Sequence, residues 1–264
     1  MSVIPKKVFY ISEFPLQWRV MDDPLFRRIR QHAEKRLREE TGKPREDRLP
    51  AYKRFLDLET KMLHRYHEKG DSGLRVSRAR SVLMDVVVQQ LFSDAIAAYT
   101  RDYGKPPCRV CLLATGGYGR GELSPFSDID LMFVYPNRAA SDRVRKFQEV
   151  ITEEILYILW DLRLKVGHAT RTPKEAIAEA RKDIITKNAT LDARLITGDY
   201  GLYSDFHQSF RRYVLNEEPE PYIRQRLQDI ADRHAKHGDT PYLQEPEIKN
   251  GVGGLRDYQA ILWM

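Results

Sequence analysis

The sequence is poor in cysteine, in long apolar runs and in low-complexity tracts. Two cysteines among 264 residues cannot build a disulfide framework. They stand as Cys108-Arg109-Val110-Cys111, a C-x-x-C spacing within an apolar run that reads as a strand. Strand residues three apart face opposite sides, which argues for two small strand residues rather than a chelate or a disulfide. No stretch approaches the roughly 20 apolar residues of a membrane span. Glu13, Gln17 and Arg19 also interrupt any apolar segment after Lys6 and Lys7. The expectation is a cytoplasmic protein without membrane contact. Internal repeats are absent, and so is the His-Asp dipeptide.

What is present suits a folded, heavily charged protein. Hydrophobic residues make up 42% and charged residues 31%, so a real core can form beneath a charged surface. Aromatic residues at 10% and a net charge of only +6 exclude a disordered chain. The small positive excess favours anionic partners, though weakly.

Periodicity gives the organisation. Residues 24–40 predict a helix with Leu25, Ile29, Ala33 and Leu37 at four-residue spacing, and an Arg- and Lys-rich opposite face that reads as solvated. Residues 41–50 read as a linker and 51–69 as a second helix, broken by Gly-Asp-Ser-Gly at 70–73. A long apolar helix follows over 77–103, with Val82, Val86, Leu91, Ala95 and Ala98 as core candidates. Strands are predicted near 109–115, 128–135 and 164–170. A helix over 142–161 buries Phe147, Ile151, Ile155, Ile158 and Leu159, and another is opened by Thr172-Pro173. Residues 188–237 read as further helices, 244–254 as an irregular loop, and a helix starts near Leu255. A small sheet embedded in helices suits α+β better than a large doubly wound sheet.

The informative run is Gly116-Gly117-Tyr118-Gly119-Arg120-Gly121-Glu122-Leu123-Ser124-Pro125-Phe126-Ser127-Asp128-Ile129-Asp130-Leu131. Gly116 and Gly117 leave a strand and let backbone approach a ligand with no Cβ in the way. A helix opening there would turn its N–H groups toward phosphate. Asp128 and Asp130, two apart at the start of a strand, project from one face. A carboxylate pair is costly unless a cation joins it, and Mg²⁺ commonly bridges such a pair to substrate phosphates. Phosphate cradle and metal pair together imply nucleotidyl transfer, in which metal activates the attacking hydroxyl and steadies the departing pyrophosphate. The glycines fit neither G-x-G-x-x-G nor the P-loop pattern, because the third glycine comes too early and no Lys-Ser or Lys-Thr follows.

Gly-Gly followed by Asp-x-Asp resembles the DNA polymerase β-like nucleotidyltransferase superfamily. The longer string GGYGRGELSPFSDIDL resembles, more narrowly, the bifunctional PII uridylyltransferase/uridylyl-removing family of GlnD type. Three stretches add to that resemblance: residues 78–85 (RARSVLMD), 166–172 (VGHATRT) and 245–257 (EPEIKNGVGGLRD), the last with Val252 where proline is expected. It covers about residues 75–264. It implies an α+β fold with a small mixed sheet of the polymerase β-like type. The implied organisation is a basic helical extension over 1–73, a catalytic core over 74–185, and a helical region over 186–264 carrying the glycine-rich loop 244–257.

The implied reaction passes UMP from UTP to a tyrosine hydroxyl of the trimeric nitrogen regulatory protein PII. By resemblance, Asp128 and Asp130 hold Mg²⁺, while Gly116, Gly117 and Ser127 line the triphosphate. Arg120, oriented by Glu122, reaches the phosphates or forms an intraloop ion pair that only shapes the turn. The superfamily's third carboxylate is open between Asp192 and Asp161, each with a structural alternative: Asp192 paired to Arg194 or Arg171, Asp161 at a helix end. His168 reads as a core histidine, and His64/His67 and His234/His237 as surface histidines. Lys249, with Arg256 and Asp257, lies in a loop expected to close over the nucleotide or support the acceptor. The family also carries a His-Asp hydrolase domain and two ACT domains. With neither in this sequence, the expectation is a catalytic fragment without the removing activity or direct glutamine control. Rival readings are another protein nucleotidyltransferase that adenylylates, a non-catalytic nucleotide-binding or partner-docking module, and an RNA-tailing enzyme, which no aromatic stacking cluster supports.

Overall fold

The computed structural model describes residues 23–38, 43–138, 141–217 and 219–264, apart from the side chains of 216 and 217. The readings made on Lys6 to Arg19, and the helix end at Glu40, lie outside them. Four short strands, β1 (Cys111–Ala114), β2 (Ile129–Val134), β3 (Val166–Arg171) and β4 (Arg194–Gly198), form one sheet in the order β3-β2-β1-β4. β1 runs antiparallel to β2 and β4, whereas β2 and β3 are parallel. A parallel pair needs a crossover, supplied here by helix α5 (Asp142–Asp161). The fold is therefore α+β with a small mixed sheet.

Strand alternation divides the interior between the two sheet faces. Leu112, Ala114, Leu131 and Phe133 join one apolar cluster with helices α1 (Pro24–Leu37), α2 (Arg45–Glu68), α3 (Gly73–Tyr103) and α5. Cys111, Leu113, Met132 and Val134 join the other, with α6 (Pro173–Lys182), α8 (Tyr200–Arg212) and the π-helical turn Tyr213–Glu217. Helices α7 (Ile184–Leu191), α9 (Pro219–Lys236) and α10 (Leu255–Trp263) complete that side. The predicted inward residues of α1 and α5 are all buried. Both cysteines are free, Cys111 buried within the strand and Cys108 half-buried before it.

Three expectations are corrected. Residues 188–237 are not wholly helical, since β4 lies among them; its five residues are too short to show a period against the helices on either side. The stretch read as a linker enters α2 at Arg45, with Pro50 inside the helix. Tertiary pairing overrides the proline there: Arg48 donates to Asp94 and Glu154, both at 2.9 Å, and Tyr52 to Asp94 at 3.1 Å, fixing α2 to α3 and α5. Third, α3 does contain an 18-residue window apolar enough to cross a membrane, with mean hydropathy 1.3. Just over half of that window, 56%, is buried inside the protein, and the helix serves as its central core element. Its tightest positions include Val87, Val88 and Tyr99, while Val86 and Ala98 are only partly covered.

Candidate active site

Between β1 and β2 the chain makes a single helical turn, α4 (Gly116–Gly119), then a loop. Gly116 sits at φ +57° and Gly121 at +73°, a region that favours glycine. Gly119 is needed for space: a Cβ there would lie 2.2 Å from the Asp192 carbonyl oxygen. The turn is tied down from α3 and β4. Tyr118 donates its hydroxyl to Asp85 at 2.8 Å, and Arg194 donates to both Asp85 oxygens at 2.9 and 3.0 Å. Arg194 also donates to the carbonyls of Gly119 and Tyr118, each at 3.2 Å. Buried Ser81 accepts from the Leu123 amide at 3.1 Å. Stretch 78–85 is thus the scaffold on which the glycine turn rests.

The turn presents Gly116 to the acidic pair, while Gly117 faces Arg120. Asp130, the second residue of β2, is in register with Gly167 of β3, and a Cβ on Gly167 would stand 2.5 Å from Asp130 Oδ1. A Cβ on Gly116 would stand 3.5 Å from Asp130 Oδ2. Asp128 is exposed just before β2, close enough for its charge to act on Asp130, and Ser127 is exposed beside it. Burial, and then the neighbouring Asp128 charge, push the Asp130 carboxyl up. A half-buried carboxylate that has no protein donor among the described residues, beside a second one, fits a divalent cation, which would relieve both burial and repulsion. Among the described residues no group of three or more acidic, His or Cys side chains could hold a metal. Two protein oxygens with the remainder from phosphate and water is the arrangement Mg²⁺ tolerates well.

On the other side of the glycines lies Arg120, its Nη2 3.6 Å from where a Gly117 Cβ would be. It donates to Glu122 at 3.2 Å and to Asp192 at 2.5 Å. Asp192 also accepts from the Trp263 indole at 3.1 Å, so α10 is fastened to the glycine loop. The pairing expected of Asp192 with Arg194 or Arg171 is corrected: its partner is Arg120, and Arg194 belongs to Asp85. Burial pushes the Asp192 carboxyl up, against the pull of Arg120. Asp161, the other candidate third carboxylate, is held by Arg45 at 2.6 Å at the end of α5.

Loop 244–254 is fastened to α10 and, through Asp257, to α9. Asp257 accepts from Arg233 at 2.5 Å and from the Gly253 amide at 2.7 Å, and His234 Nε2 lies 2.9 Å from it. Burial raises the Asp257 carboxyl, but Arg233 and His234 outweigh it and leave it below the usual range. Cβ atoms at Gly251 or Gly254 would meet backbone oxygens at 2.7 and 2.9 Å, which accounts for two of the loop's glycines by packing alone. Lys249 is exposed, and its carbonyl accepts from the Arg256 amide at 2.9 Å.

Two histidine readings change. His168 is not a core residue: β3 is an edge strand, and the ring is exposed, edge-on to Trp160 at 6.3 Å. His234 is the Asp257 clamp rather than a free surface group. Asp85, Ser81, Tyr118, Gly167, Arg194 and Trp263 were not singled out as site-building residues from sequence. Asp85 carried a signal nonetheless, since a carboxylate inside the apolar run Val82-Leu83-Met84-Asp85-Val86-Val87 demands a partner.

The profile of the GlnD PII-uridylyltransferase family matches residues 222–264, and that of the nucleotidyltransferase family DUF294 matches residues 60–158. A bifunctional uridylyltransferase/uridylyl-removing enzyme of Rhodospirillum rubrum is 37% identical over 209 residues, 79% of this chain and 22% of the relative. The enzyme of the same name from Caulobacter vibrioides is 38% identical over 200 residues, 75% of this chain and 20% of the relative. That from Rhodopseudomonas palustris is 37% identical over 194 residues, 73% of this chain and 20% of the relative. The chain thus spans about a fifth of the length of the curated relatives it matches.

Proposed function

We propose that this chain, a nucleotidyltransferase related to the GlnD-type uridylyltransferases, transfers UMP from UTP to a tyrosine hydroxyl of protein PII with Mg²⁺. The observation that carries the reading is Asp130, half-buried beside Asp128, without a protein donor among the described residues, touched by Gly116 and faced by Gly167 where a side chain would collide with it.

Asp128 and Asp130 are the residues that would hold the ion. Bound there, Mg²⁺ supplies charge neutralisation at the reacting phosphate and a lower pKa for the attacking hydroxyl. The chain's own residues do the positioning. Gly116 and Gly117 admit the phosphates close to backbone, and the Ser127 hydroxyl lies beside Asp128 to donate to a phosphate oxygen. Arg120, held in place by Glu122 and Asp192, turns its guanidinium along the Gly117 edge toward the leaving phosphates. Asp192 is assigned this positioning role rather than that of the base. Lys249, exposed on the loop that supports α10, is assigned a steering contact to the triphosphate. The tyrosine oxygen forms its bond to the α-phosphorus as the bond from that phosphorus to the β-bridging oxygen breaks. Pyrophosphate leaves with the electron pair, and the tyrosine proton passes to water.

Calorimetric titration of UTP with and without Mg²⁺, repeated against saturating ATP, tests donor choice. The reading expects Mg²⁺-dependent UTP binding that ATP does not displace. Equal displacement by ATP would reassign the donor, and UTP binding unaffected by Asp130→Asn would remove the metal pair from it.

A further inference from the structure

Four arginines meet beside the glycine turn, and three have acidic partners. Arg120 is held by Asp192 and Glu122, Arg226 lies 3.1 Å from Asp229, and Arg233 donates to Asp257 and, at 2.6 Å, to the Asn250 carbonyl. The guanidinium of Arg256, on the first turn of α10, makes no hydrogen bond or ion pair among the described residues, although the residue is half-buried. Burial opposes its charge, and so do the guanidiniums of Arg120, Arg233 and Arg226; Asp229 is the compensating charge nearby. Arg226 is only 3% exposed, and its Nε is buried without a partner. Arg120 and Arg226 both lie over the Trp263 ring, at 5.9 and 5.2 Å, so the indole fixes two of the cations.

A guanidinium left half-buried among like charges destabilises a fold unless something anionic meets it. The neighbouring carboxylates are already taken: Asp192 by Arg120 and Trp263, Asp257 by Arg233 and His234. The cluster is also continuous with the acidic pair. Asp130 abuts Gly116, Gly117 abuts Arg120, and Arg120 is close enough to Arg256 to repel it.

We propose that Arg256, with Arg120 and Arg226, forms the subsite for the terminal phosphates of the nucleotide donor, and so for the pyrophosphate it releases. This rests on the nucleotidyltransferase reading above, and it places phosphate recognition on α10, some 140 residues beyond the glycine turn (Gly116 to Arg256). The planar fork of arginine suits two phosphate oxygens at once, which a lysine at this position would not reproduce. Asp192 and Trp263 then act by holding Arg120 and α10 in one frame. Nucleotide binding and the docking of α10 become the same event.

The test measures binding of inorganic pyrophosphate, UTP and UMP, each with Mg²⁺, to the whole chain and to its Arg256→Gln and Arg256→Lys variants. Both variants should melt at or above the parent temperature, because the Arg256 guanidinium has no hydrogen bond or ion pair to lose among the described residues. Arg256→Gln should weaken pyrophosphate and UTP roughly ten- to a hundred-fold, as expected for a charged hydrogen bond. UMP affinity should stay unchanged, and Arg256→Lys should fall between. UTP binding tightly to Arg256→Gln, with pyrophosphate unaffected, would overturn the subsite and leave the nucleotidyltransferase reading standing. A parent chain that binds neither UTP nor pyrophosphate would overturn both.

Discussion

Gly167 offers a way to damage the acidic pair while leaving the fold intact. It lies on an edge strand at an ordinary φ, so alanine is tolerated by the backbone, and its Cβ would sit 2.5 Å from Asp130 Oδ1. What it meets is the end of a side chain rather than backbone, so Asp130 must swing aside by about 1 Å, a displacement that can cost about a hundred-fold in rate. That corresponds to about 2.7 kcal/mol of transition-state stabilisation. For the fold the effects nearly cancel. Replacing strand glycine contributes about 0.5–1 kcal/mol, and forcing Asp130 off its rotamer costs about 0.5–1.5 kcal/mol. Gly167→Ala should therefore transfer nucleotide about a hundred-fold more slowly, require more Mg²⁺ for half-maximal rate, and melt within about 4 °C of the parent. Parallel rate assays and thermal melts read this directly. Parental turnover would refute the placement of Gly167 against Asp130. Loss of activity together with a collapsed melting temperature would show that Gly167 holds the strand and not the site.

Gly119→Ala should behave oppositely, because its Cβ meets the Asp192 and Ala114 carbonyls at 2.2 and 2.9 Å and neither can rotate away; urea unfolding should show a loss of a few kcal/mol, about the cost of overpacking. Asp85→Ala removes the carboxylate paired with Arg194, whose side chain is 11% exposed, and should cost about 3–5 kcal/mol, part of it recovered in Asp85→Ala/Arg194→Met. Asp23 caps α1 and accepts from Arg75 at 2.7 and 2.8 Å, which holds its carboxyl below the usual range. Its contribution is therefore present above about pH 3.9 and lost as pH falls through the lower folded value. Asp23→Asn should cost on the order of 1 kcal/mol at pH 7, the pair being partly exposed, and the gap from the parent should narrow as pH falls below the ordinary carboxylate range in denaturant titrations.

Local signals made much of the frame readable. The apolar stripes of α1 and α5 fixed both helices and their buried faces, and Thr172-Pro173 marked the start of α6. The glycine turn and the Asp128/Asp130 pair were legible because their elements are consecutive in the chain. What escaped depends on contacts distant in sequence. β4 is only five residues long and is specified by pairing with β1, which no local period announces. α2 starts early because Arg48 and Tyr52 find Asp94 across 46 and 42 residues. Asp192 was noticed, but its partner Arg120 lies 72 residues back, and the choice among three arginines is made by the fold. His168 was misplaced because a strand motif does not say whether its strand lies at an edge.

The most direct test of the function is transfer of label from α-³²P-UTP to purified PII with Mg²⁺, alongside equally labelled ATP, GTP and CTP. An Asp128→Asn/Asp130→Asn chain serves as the control. The reading predicts label on PII from UTP alone, absent from the control and abolished by chelator. Label arriving equally from ATP, or persisting in the double variant, would contradict it, as would the absence of both transfer and Mg²⁺-dependent UTP binding.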